Sequence, residues 1–87
     1  MSKPMKQKVW VLRVPKNAQG LVIHGLDIGS VEPNEITIHM NKTLWSRFGL
    51  LQESSIHFSD IYLAQGYKLF IRAKKPLHII HLSWAVA

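Results

Sequence analysis

Between Glu35 and Phe58, in the run EITIHMNKTLWSRFGLLQESSIHF, the spacing of apolar residues changes twice. Ile36, Ile38 and Met40 alternate with Thr37 and His39, which places them on one face of a half-buried strand. Leu44 and Phe48 then stand four apart behind Asn41, whose side-chain oxygen suits the first turn of a helix, and Gly49 supplies a stop. Ile56 and Phe58 flank His57 and restore the two-residue period. The spacing predicts strand, one short helix over about 42–48, and strand.

The flanking sequence repeats the strand pattern. Lys8–Val14 is a first strand ended by Pro15, and Leu21–His24 resumes after a polar turn to make a hairpin with it, with Gly25 at a bulge. Asp27–Asn34 has the glycine, serine, proline and asparagine of a surface loop. Ile61–Leu63 extends the strand that begins near Ile56, and Gly66 offers a turn with positive φ. Tyr67–Arg72 is a fifth strand, with Phe70 between Lys68 and Arg72. Pro76 interrupts the ladder, and Leu77–Trp84 is a sixth strand, apolar on both faces and so central or interfacial. The fold class that results is mostly β: a small antiparallel barrel or compact two-layer sheet of about six short strands with one short helix.

A chain of 87 residues, 47% hydrophobic, makes one small domain over 8–87 behind a flexible basic arm at 1–7. Such a domain buries only about 60–65% of its unfolded surface, and a homodimer would both add burial and cover its sheet edges. The absence of cysteine excludes disulfides and thiolate chemistry. No apolar run reaches the roughly 20 residues of a spanning helix, and no leader pattern follows the first residues, so a cytoplasmic protein without membrane contact is expected.

The formal charge of +6 is placed unevenly. Lys3, Lys6, Lys8, Arg13 and Lys16 open the chain, Lys68, Arg72, Lys74 and Lys75 lie near its other end, and all acids fall between. If the terminal strands are neighbours, they create a basic face suited to phosphates, with Trp10, Trp45 and Phe70 as aromatics that either stack on bases or fill the core. The nucleic-acid contacts expected are Lys6, Lys8, Arg13, Lys42, Arg47, Lys68, Arg72, Lys74 and Lys75. A protein-docking module is the other class the pattern allows, with Trp45, Ile79, Leu82 and Trp84 as its interface.

Catalysis and metal binding find no support in the pattern. His78 and His81 are three apart and face opposite sides of a strand, and no nucleophile elbow, phosphate loop or zinc signature is present. A non-enzymatic protein without cofactor or metal is expected.

The segment LWSRFGLLQESSIHF also resembles the swapped-hairpin transcription-factor family of AbrB, the MazE antitoxin and the SymE toxin. Leu44, Phe48, Gly49 and Leu50 match its short helix, Ile56 and Phe58 its next strand, and Ile36-Thr37-Ile38 and Gly66 with Leu69-Phe70-Ile71 fit the flanks. The resemblance implies an intertwined dimer that binds DNA, rather than RNA, through basic residues, in regulation or in a toxin–antitoxin pair. Trp45 and Ser46 fall where that family often carries arginines, which leaves Lys42 and Arg47 as the nearest cations.

Overall fold

The computed structural model describes residues 7–87, and all regular structure among them is strand. Lys6 and most of the expected basic arm lie outside the described residues. Seven strands follow in order: β1 (Gln7–Arg13), β2 (Gly20–Ser30), β3 (Asn34–Met40), β4 (Thr43–Leu50), β5 (Ser54–Phe58), β6 (Ile61–Ala64) and β7 (Lys68–Val86). Every pairing is antiparallel. The molecule measures 38 × 34 × 19 Å, one sheet curled over its own core as a half-barrel.

β7 is the spine. Its first half pairs with β1 and β3, and its second half pairs with β2. β4 extends the sheet beyond β3, while β5 and β6 share β2 as a neighbour. Alternation drives this arrangement, because Leu69, Ile71 and Ala73 on β7 and Ile36 and Ile38 on β3 all turn to the buried face. Leu21, Ile23, Leu26 and Ile28 of β2 join them, the register shifting at Gly25 as the sequence led us to expect. Gly66 takes φ +83° in the turn before β7, also as expected.

The expected helix over 42–48 is strand β4. A spacing of four serves a strand as well as a helix, and pairing with β3 decides between them: Ile36 faces Phe48 and Asn34 faces Leu50. Asn41 caps nothing; it adopts φ 54° in a two-residue turn, a conformation asparagine tolerates, and its side-chain oxygen accepts from the Lys68 amide at 3.0 Å. Trp45 is the extra residue where the β3–β4 register shifts between Ile38 and His39.

Other boundaries also differ. The expected hairpin of the first two strands does not form, since β1 pairs with β7. β2 continues to Ser30 through the expected loop, because Gly29 is there for close packing and not for a turn: a Cβ on it would lie 2.6 Å from Ile80 Cδ1. The expected fourth strand is two, broken at Ser59-Asp60, where Asp60 takes φ 57°. The expected fifth and sixth strands are one, and the second half of β7 is an edge, not a centre.

Proline is tolerated inside β7 because of Asn34. This buried residue accepts the amide protons of Lys75 and Glu35 at 2.9 Å each, and its Nδ2 donates to the Lys75 carbonyl at 2.9 Å and to Ser30 Oγ at 3.1 Å. Ser30 Oγ donates in turn to the Glu32 carbonyl at 2.8 Å. One amide thereby replaces the ladder where β2 hands over to β3 and where Pro76 brings no N–H. Asn34→Ala leaves several buried groups unpaired and is expected to cost about 2–4 kcal/mol in urea unfolding. Ser30→Ala removes one branch of the network and is expected to cost about 1 kcal/mol.

Candidate nucleic-acid interface

The residues opposite the core on the first half of β7 carry the charge. Leu69 and Ile71 point inward, so Lys68, Phe70, Arg72 and Lys74 point outward, and the register aligns neighbours beside them. Arg13 of β1 stands across from Lys68. Val11, Phe70 and His39 make the next row across β1, β7 and β3, and Val9, Arg72, Thr37 and Arg47 the row after, reaching β4. The result is a sheet face with an aromatic centre and cations before and after it along β7 and on β4, with Val9 and Val11 on the β1 side.

The ring of Phe70 is the middle of this surface. The Arg72 guanidinium lies over it, its carbon 5.3 Å from the ring centroid, and the His39 ring meets it edge-on at 6.4 Å. His39 Nδ1 is covered and has no hydrogen-bond partner among the described residues. A shallow groove of about 330 Å³ runs between Phe70, Arg72, His39, Asn41, Lys42 and Lys68. It shares Asn41, Lys42 and Lys68 with a larger groove of about 700 Å³ at the end of the sheet. There Arg13, Lys16, Lys42 and Lys68 surround Tyr67, and no acid lines the groove.

The acids are elsewhere. On this face only Glu35 is present, and it pairs with Lys74 at 3.4 Å. Asp27 Oδ1 accepts from His57 Nδ1 at 2.6 Å on the β2–β5 pair, and Glu32, Glu53 and Asp60 lie in turns near that half of the sheet. The fold therefore segregates charge that the sequence only distributed.

Of the expected phosphate contacts, Arg13, Lys42, Arg47, Lys68, Arg72 and Lys74 converge on this face or its end groove. Lys8 is exposed in β1 where its pairing with β7 is irregular, and Lys75 is exposed at the Asn34 junction, its backbone rather than its side chain engaged. Neither is aligned with the rows around Phe70. Lys16 and Tyr67 join the groove unforeseen; the turn at Gly66, legible in the sequence, was the signal that brings Tyr67 to the sheet end.

The expected protein contacts are dispersed. The Trp45 and Phe58 rings meet at a tilt with centroids 5.5 Å apart, as do Phe58 and Phe48 at 5.5 Å, so this cluster joins β4 to β5 where no backbone ladder does. Ile79 and Leu82 pack partly against the core, and Trp84 is exposed near the end of β7. Among the described residues no group of histidines and carboxylates is arranged to hold a metal ion. No helix among them is long and apolar enough to cross a membrane.

Comparison of the chain with protein-family models, curated proteins and solved structures returns no match. Because the Lys74–Glu35 pair is exposed, it contributes little to stability. Glu35→Gln is expected to leave the melting temperature unchanged within about 3 °C, corresponding to less than about 0.5 kcal/mol. The same substitution frees Lys74 and should tighten binding of any polyanion on this face, measured by anisotropy at fixed salt.

Proposed function

We propose that this protein binds single-stranded nucleic acid on the outer face of β1, β7, β3 and β4, and acts by binding and not by catalysis. The observation that carries the reading is Phe70, an aromatic ring at the centre of a sheet face whose surrounding charges are cationic save for one paired glutamate. Unpaired bases stack on such a ring, and Arg72 is placed to exchange its ring contact for a phosphate or a second base. Duplex bases have their faces covered, so a flat aromatic platform gains less from them.

The strand path follows the two connected grooves. From Arg72 over Phe70 to Lys68 and Tyr67 the chain spans roughly 17 Å at about 3.3 Å per residue, enough for about three nucleotides along the path, with the two aromatic residues about 10 Å apart within it. Arg13, Lys16 and Lys42 then receive the phosphates that leave the face. The DNA-binding regulator implied by the swapped-hairpin resemblance shares the use of basic residues, but the segment matched to its helix is β4 in this chain.

Fluorescence anisotropy with a labelled oligothymidylate, the matching RNA and a duplex tests the reading. Binding should be tightest for a single strand and fall as salt rises from about 50 to 200 mM, with log–log slope reduced by about 0.7 for each of Lys68→Ala and Arg72→Ala. Phe70→Ala should weaken it by about 5–150-fold, the equivalent of one lost base stack of about 1–3 kcal/mol. Absence of binding at about 50 mM salt, or loss of binding that is equal for duplex and single strand in Phe70→Ala, would overturn it.

A further inference from the structure

The second half of β7 has one free side. From His78 to Val86 it pairs with β2, and among the described residues no strand pairs with its other edge. Ala87 donates its N–H to Gly20 and Ala85 stands opposite Val22 in β2, so by alternation the N–H and C=O groups of Leu82, Trp84 and Val86 point away from β2 toward the open side. These residues are also the apolar ones. Trp84 is 47% exposed and Val86 53%, although both lie across from core residues, Ile23 and Leu21.

Sheet edges are ordinarily guarded by lysine, acidic residues, proline or a covering element. The stretch LHIIHLSWAVA from Leu77 to Ala87 contains none of the guarding residues. In a chain of charge +6 this stretch carries no lysine, arginine or acid, so two copies meet little charge repulsion along it.

We infer that a second copy of this chain pairs antiparallel along this edge, with the two-fold axis at Trp84. That register is set by the outward main-chain groups: Trp84 faces Trp84 of the second copy, and Leu82 faces Val86 on either side, all as hydrogen-bonded pairs. The apolar side chains then lie together on the core-facing side and continue the hydrophobic layer across the dyad. A register centred nearer Ile80 is disfavoured, because β7 carries an extra residue between the pairs Asp27–His81 and Ile28–Ile79, and Ile80 folds over Gly29 on the opposite face. Ser83 of one copy falls opposite Ala85 of the other in a non-hydrogen-bonded pair, where Cα atoms approach to about 4.5 Å.

The natural chain has no cysteine, which makes a cross-linking test clean. Ser83→Cys and Ala85→Cys proteins, mixed in equal amounts and oxidised, should give the mixed disulfide as the main covalent dimer, because that separation suits a disulfide and the like-with-like separations do not. Sedimentation equilibrium of the unmodified protein should show a monomer–dimer equilibrium. Trp84→Lys should shift it at least tenfold toward monomer while retaining the circular dichroism of the parent fold. An unmodified protein that is monomeric throughout the concentration series would overturn the inference, as would a dimer unaffected by Trp84→Lys or mixed and like-with-like disulfides in statistical proportion. The nucleic-acid reading is independent of all these outcomes, since its residues lie on the first half of β7, on β1, β3 and β4 and in the adjoining turns, away from the Trp84 edge.

Discussion

Asn34 is the constraint on which the rest of the sheet depends. A strand as long as β7 would drift out of register with short neighbours, and here its neighbours change from β2 to β3 at the point where Pro76 removes a donor. The asparagine amide supplies two acceptor and three donor contacts at that junction, satisfying the main chain of Lys75, reaching the Pro76 carbonyl and tying in Ser30. Because the group is buried, the alternative is a set of unpaired polar atoms at a cost comparable to a sizeable share of a small domain's stability. With the junction held, the sheet can curl without losing β7 as one continuous spine.

Continuity of β7 has a functional consequence. Its first half takes partners on both sides, which leaves only its outer face for other molecules and fills that face with Lys68, Phe70, Arg72 and Lys74. Its second half takes one partner and presents an edge instead. One strand thus carries two surfaces of different chemistry: a cationic face with an aromatic centre, and an uncharged edge of outward main-chain groups. The Trp45–Phe58–Phe48 cluster closes the seam between β4 and β5 by side-chain contact alone, which lets the half-barrel hold its shape without a complete ladder.

The sequence made some of this legible and hid the rest for identifiable reasons. Alternation at Ile36-Ile38-Met40 and at Lys68-Phe70-Arg72 correctly indicated strands and the side each residue occupies. The bulge at Gly25 and the turn at Gly66 were also readable, because each rests on local backbone preference. Leu44 and Phe48 misled, since their spacing of four fits a helix face, whereas in β4 the extra residue Trp45 sets Leu44 opposite His39 and Phe48 opposite Ile36, a pairing that local spacing does not encode. Pro76 misled in the same way: its lost donor is a local fact, but its rescue by Asn34 comes from a residue 42 positions away. The cationic cluster was foreseen in its residues and not in its geometry, as Lys16 and Tyr67 reach the groove through turns whose direction no periodicity encodes.

If the outer face around Phe70 receives a single strand, contact should be found there in solution. Amide chemical-shift mapping on isotopically labelled protein, titrated with a short oligothymidylate, tests it most directly because it locates contact without altering a residue. Shifts are expected to concentrate at Arg13, Thr37–Lys42 and Tyr67–Lys74, with β5 and β6 unmoved. Shifts centred on His57, Tyr62 or the Trp84 edge, or none at saturating oligonucleotide, would contradict it.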